Sequence, residues 1–227
     1  MTIAELDNPF HSALRTLHRH VALGPGVVLR YPAEFAPFLG VERRGVDVGD
    51  VLEDLVAPGE SVYLLGVVPE VPAGWELEAF RPLAQMIVDA PLDVPDGPEI
   101  VELTGAAQRG DALALTALVY PHYFRARTMD MGRYFGIYEG GRLAAMIGER
   151  LGTPHHREMS AICTHPDFTG RGYARRLTAW LGNDTLARGV LPFLHVSHEN
   201  TRAKSLYEAM GYRLRRDIGF WSLSRKS

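Results

Sequence analysis

Behind an Asn8-Pro9 start, apolar residues recur at Phe10, Ala13, Leu14, Leu17 and Val21, the spacing of a helix with one buried face. The pattern changes after Gly24-Pro25-Gly26. Short β-branched or apolar runs at 26–31 and 61–69 read as strands, with a helix-like run at 48–56 between them and a mixed run, WELEAFRPLAQMIV, at 75–88 behind them. This first stretch is an α/β unit without a chemical motif.

From Ala90 to Pro98 the sequence APLDVPDGP concentrates prolines and a glycine in a short polar stretch, which reads as a connection. It divides the chain into an N-terminal unit, 1–97, and a second unit, 98–227. In the second the pattern predicts a strand at 99–104, a helix at 107–124, a hairpin through Gly140-Gly141, a strand at 157–164, a helix at 172–187, a strand at 192–197, a helix at 200–210 and a last strand near 213–224. No repeat or low-complexity segment interrupts this order.

A chain of 227 residues, 46% hydrophobic and 22% charged, buries a core and is too apolar to be disordered. Its 24 basic and 27 acidic side chains give a net charge of -3, which argues against nucleic acid or an anionic membrane as partner. The balance is uneven: residues 1–154 carry 12 basic and 21 acidic side chains, and residues 155–227 carry 12 and 6. The basic last third suits a small anionic ligand, or else is a solvated surface. Cys163 is the only cysteine, so no intramolecular disulfide can form, and the N-terminus lacks the basic start and apolar run of a signal peptide. With no stretch near the roughly 18 apolar residues of a membrane span, a cytoplasmic protein is expected.

The chemistry concentrates in Ser160–Leu177, where a strand passes Pro166 into a glycine turn and then a helix. Unpaired first-turn N–H groups and the positive end of the helix dipole converge on such a turn, and Gly170 and Gly172 let an anion approach the backbone. A Walker A loop would need a Gly-Lys-Ser/Thr ending and a dinucleotide fold a third glycine; neither is present. A lone Gly-x-Gly is otherwise merely a tight strand-to-helix turn.

Thr169-Gly170-Arg171-Gly172-Tyr173-Ala174 is similar to the acyl-CoA loop, Gln/Arg-x-x-Gly-x-Gly/Ala, of the GNAT superfamily of N-acetyltransferases. Downstream, 194–213 resembles that family's strand and Asn-x-x-Ala-x-x-Leu-Tyr-x-x-x-Gly-Tyr helix, through Asn200, Ala203, Leu206, Tyr207, Gly211 and Tyr212. Two motifs in order resemble in particular its FR47-like branch, over roughly 99–225. The resemblance implies an α/β fold with a central mixed, splayed sheet flanked by helices, beside a smaller N-terminal α/β unit. It also implies acetyl-CoA as donor, held in the splay between two parallel strands, with direct transfer to a primary amine. By the same resemblance, Ile162, Cys163 and Thr164 contact the pantetheine arm through their backbone and Gly170, Arg171, Gly172, Tyr173, Ala174 and Arg175 hold the pyrophosphate. Asn200 touches the cofactor, and Tyr207 lies near the thioester sulfur. Thr169 departs from the family's Gln or Arg, which removes a side-chain contact and leaves the amide cradle.

A phenol with an ordinary pKa of about 10 is protonated at neutral pH, so Tyr207 suits protonation of the leaving thiolate. Its helix also carries an apolar stripe, so packing is the plain alternative. Glu158, alternating with Ser160 and Ile162 on one strand face, is the first candidate base, His195 the second and Glu149 a third. The bland alternatives are a rim carboxylate and a hydrogen-bonded strand histidine. Cys163 has no matched base beside it, and the histidines lack a metal-ligand spacing, so neither a covalent intermediate nor a metal is expected. The expected partner is a small-molecule or peptide amine, which the resemblance places at the helix after the first strand, the segment 120–133 and the N-terminal unit; Tyr120, His122, Tyr123 and Phe124 either line that site or, the preferred reading, pack as a helix end, and a homodimer is left open. The competing function is a non-catalytic acyl-CoA-binding or sensing module.

Overall fold

A computed structural model describes residues 3–119 and 121–226. Helix α1 (Pro9–Arg15) ends earlier than its apolar spacing predicts, where Thr16 turns its hydroxyl onto the Ser12 carbonyl at 2.6 Å; Val21 falls in a separate 3-10 turn. An antiparallel ribbon of β1 (Val28–Arg30) and β2 (Leu39–Val41) follows, then α2 (Gly49–Leu55), β3 (Ser61–Leu65) and β4 (Trp75–Ile87). After the connection come β5 (Val101–Glu102), α3 (Ala106–Val119), β6 (Tyr134–Glu139), β7 (Arg142–Gly152) and β8 (His156–Thr164). The chain closes with α4 (Tyr173–Ala187), β9 (Leu191–Ser197), α5 (Thr201–Met210) and β10 (Arg213–Arg225). Helix α3 does not run on to 124, because Pro121 has no N–H with which to continue it.

Eight strands form one mixed sheet in the order β3-β10-β4-β9-β8-β7-β6-β5, antiparallel at every pair except β8 against β9. The mixed, splayed sheet implied by the resemblance is present. Strand β4 comes from the N-terminal stretch yet lies inside the sheet, pairing with β10 along its length and with β9 from Leu83 to Ile87. It contains Pro82, which sits at a register shift against β10, between Phe80 and Leu83. A bulge is where a strand tolerates a residue that cannot donate to the ladder.

Alternation along the strands sends Tyr134 and Met146 to one face, with Ala112 and Leu115 of α3, and Phe135 and Ile147 to the other, with Leu177 and Leu181 of α4. Helix α1 packs with Ile87 and Phe193, whose neighbours Met86 and Leu194 belong to the α4 side. The two helical layers therefore cover opposite faces.

The connection between β4 and β5 has no regular structure but is strapped to α4. Asn183 brackets Leu92 with two bonds of 2.8 Å, and Arg176 donates to the carbonyls of Pro95 and Pro98. The uneven charge also has a structural use. Four arginines of β10 reach acids of the N-terminal stretch: Arg213 meets Asp89, Arg215 and Arg216 both meet Asp7, and Arg225 meets Glu53. Much of the basic excess thus joins the two stretches of chain instead of awaiting an anion. Among the described residues no helix is long and apolar enough to cross a membrane.

Candidate active site

The parallel ladder between β8 and β9 is short, running only from His156 opposite Leu191 to Glu158 opposite Phe193. Beyond it the strands diverge, and the edge of β8 from Met159 to Thr164 that would face β9 has no partner strand among the described residues. An extra residue in β8, between the pairs Gly148–Ser160 and Met146–Cys163, makes a bulge at the mouth of this splay. Ala161 holds a positive φ of 50° there, a strained conformation for a residue with a Cβ. The bulge breaks the alternation expected for Glu158, Ser160 and Ile162: Ile162 packs with the α4 layer, whereas Ala161 packs with the α3 layer. A cavity of about 630 Å³ opens from the splay, with Met159 to Cys163, Asn200 and Tyr207 on one side and residues of the N-terminal stretch on the other.

At the far end of β8, a 3-10 turn (Pro166–Phe168) leads into the glycine loop. Gly170 and Gly172 have φ of 81° and 76°, and Gly172 is the left-handed N-cap of α4. A Cβ at either would touch nothing within 4 Å, so the need for glycine is conformational and the backbone is open to a ligand. Arg171 and the Tyr173 hydroxyl both bind Glu139, fixing the loop to β6, and the Thr169 hydroxyl donates to the Pro166 carbonyl at 3.1 Å. Ala174 follows in the first turn of α4. Arg175 lies at the surface, 3.6 Å from Asp93. Asn200 caps α5, its side-chain oxygen accepting from the Ala203 N–H at 3.1 Å.

Glu158 is buried at the cavity floor. Arg150 grips its carboxylate with two bonds of 2.9 Å, the Leu151 N–H adds one of 3.3 Å, and His195 Nδ1 lies 2.8 Å away. Burial drives the Glu158 pKa upward, and the Arg150 guanidinium with His195 outweighs it, holding the group at about 2. The histidine tautomer follows from Gln85 on β4. The Gln85 oxygen accepts from Arg215 at 2.6 Å, so its amide nitrogen faces the Leu6 carbonyl at 2.9 Å and His195 Nε2 at 3.0 Å. Nε2 is then an acceptor and the proton sits on Nδ1, donated to Glu158. Both ring nitrogens of His195 are committed to protein partners.

Glu149 lies outside this cavity, held by Arg133 at 2.8 Å and Arg188 at 2.5 Å. Burial pushes the Cys163 thiol up to about 12, which leaves it a poor nucleophile on the cavity wall. Tyr207 lines the cavity, with its ring 5.9 Å from that of Tyr212. Tyr123 lines it too, His122 lies beside Tyr123, and Phe124 packs edge-on against Tyr134; Tyr120 lies outside the described residues. No group of three His, Cys, Asp or Glu suited to a metal occurs among the described residues. Arg150, Gln85 and the aromatic wall of Phe38, Phe80 and Phe220 escape sequence reasoning, because each reaches the site through register and not through a motif.

Two buried groups make acid stability testable. His18, between the Tyr31 hydroxyl and the Met131 carbonyl, is pushed by burial from 6.5 to about 4. Its proton binds the unfolded chain first, so its contribution is complete above pH 6.5 and fades towards pH 4. Glu158 moves from 4.5 to about 2, so its contribution is complete above pH 4.5 and fades towards pH 2. We expect a denaturation midpoint that is flat from about pH 7 to 8, falls below pH 6.5 and falls more steeply below pH 4.5. Urea titrations across that range check this, and a midpoint constant from pH 7 to 4 would contradict it.

Comparison with known proteins agrees with the geometry. The family described as FR47-like protein matches residues 134–221. Along 98% of this chain and 99% of the other, the protein is similar to a GNAT-family acetyltransferase structure from Novosphingobium aromaticivorans DSM 12444, at 31% identity and a TM-score of 0.86. It shares its fold with a GCN5-related N-acetyltransferase from Kribbella flavida, with 17% identity, a TM-score of 0.67 and coverage of 100% of this chain and 96% of that one. Over 82 residues it is 37% identical to the N-alpha-acetyltransferase RimI of Mycobacterium tuberculosis, covering 35% of this chain. The chain spans about half the length, 51%, of that curated relative. A mixed sheet parted at one parallel pair, with a glycine loop and helix start beside it, is the fold of the GNAT class. The chain belongs to the GNAT family.

Proposed function

We propose that the protein transfers an acetyl group from acetyl-CoA to a primary amine by direct attack within a ternary complex. The observation that carries this reading is one continuous path. The unpaired edge of β8 runs from the glycine loop at α4 to the cavity lined by Tyr207 and Glu158. An edge of free backbone amides suits the amide-bearing pantetheine arm, and the α4 start suits its pyrophosphate.

In this mechanism the amine enters neutral and its nitrogen forms a bond to the thioester carbon. Backbone N–H groups between Ile162 and Thr164 donate to the oxygen as it becomes an oxyanion. The attacking nitrogen gains positive charge, and Glu158, ionised at every working pH and keeping its four protein hydrogen bonds, offsets that charge through space. His195 and Arg150 hold Glu158 in place for this. As the carbon–sulfur bond breaks, Tyr207 gives its proton to the sulfur and recovers one from solvent; the surplus amine proton also leaves to solvent. Tyr207→Phe is expected to lower kcat about a hundredfold, with acetyl-CoA binding unchanged. Steady-state kinetics and calorimetry check this. An undiminished kcat removes Tyr207 from the reaction, and tight binding without transfer to any amine makes the protein a sensor.

A further inference from the structure

We infer that the acceptor is a primary amine carried on an aromatic body, an arylalkylamine, whose ring lies against the aromatic wall of the cavity. This deepens the transfer reading and rests on it. The wall is assembled from four distant parts of the chain. Phe38 lies just before β2, Phe80 on β4, Tyr123 after α3 and Phe220 on β10. Phe80 and Phe220 lie 5.3 Å apart between ring centroids, Tyr123 and Phe220 6.1 Å, and Phe38 and Tyr123 6.2 Å. Phe80 keeps 38% of its surface exposed although it borders a concavity, so ring surface remains for an incoming ring to cover.

The charges make the complementary point. Four charged side chains line the cavity among the described residues, and they form two opposite pairs, Arg150 with Glu158 and Arg81 with Glu199, the latter at 3.2 Å on the rim. A polyamine would ask for carboxylates in excess, and an amino acid would ask for a guanidinium in excess. An aminosugar would need polar groups to replace water around each hydroxyl, where this wall offers ring faces. Rings favour a flat apolar body, and their faces also attract the ammonium form on its way in.

The test compares kcat/KM of the intact protein for 2-phenylethylamine, tryptamine, butylamine, spermidine, glucosamine and a short peptide with a free N-terminus. In parallel, calorimetry measures binding of 2-phenylethylamine and butylamine in the presence of CoA. Burial of one ring predicts an advantage of about tenfold to a hundredfold for the aryl amines over butylamine, in both kcat/KM and affinity. Because Phe80 is partly exposed, Phe80→Ala is expected to fold, and to raise KM about tenfold for 2-phenylethylamine and by clearly less for butylamine. Equal values for aryl and alkyl amines, or preference for spermidine, glucosamine or the peptide, would overturn the inference while leaving transfer intact. Absence of turnover with every amine would instead remove the transfer reading. In that case failure of 2-phenylethylamine to bind better than butylamine would remove this inference as well.

Discussion

Residues 98–227 expressed without the first 97 are expected to yield no cooperatively folding protein. The reason is the place of β4. It lies between β9 and β10, so its removal opens the sheet in its interior and strips both neighbours of their ladder partner. Ala84, Met86 and Ile87, all without exposed surface, leave the core with it, and Gln85 leaves His195 and Arg215. The arginines of β10 lose Asp7, Asp89 and Glu53 at the same time. A shortened chain would also expose long unpaired strand edges, which favours aggregation. Circular dichroism and urea titration of the soluble fraction are the measurements. A cooperative transition near that of the whole chain would show that 98–227 stands alone.

The second large effect is expected at Arg150. Arg150→Met leaves the Glu158 carboxylate buried without its strongest partner, and loss of one member of a buried pair costs about 3 to 5 kcal/mol. Its guanidinium also lies 4.9 Å from the centre of the Phe38 ring, so the loss reaches the aromatic wall. Adding Glu158→Gln to Arg150→Met is expected to recover most of the stability, since no buried charge then remains unpaired, but not the activity. Urea midpoints of the single and double variants check this. A single variant within 1 kcal/mol of the parent protein would contradict the argument.

What could be read from the sequence was local. Gly170 and Gly172 mark a turn needing positive φ before a helix, and Asn200 and Gly211 bracket α5 as its two caps; each signal lies within a few residues of its effect. What could not be read depends on pairing across the chain. The run at 75–88 hides its identity because Pro82 breaks its alternation, and only its pairing with β10 and β9 makes it an interior strand. The bulge at Ala161 carries no glycine to announce it, so Ile162 changes face without a sequence signal. Gln85 meets His195 across 110 positions of sequence, through register alone. The same holds for the aromatic wall, which gives the N-terminal stretch its place in the site.

In the proposed reaction the splay between β8 and β9 delivers a thioester to an amine. Its most direct measurement follows free thiol released from acetyl-CoA by the intact protein, with and without 2-phenylethylamine, alongside the acetylated amine by mass spectrometry. Thiol and N-acetylated product are expected in equal amounts, dependent on amine and reduced about a hundredfold in Tyr207→Phe. Thiol release independent of amine, or bound acetyl-CoA that acetylates none of the amines tested, would contradict it.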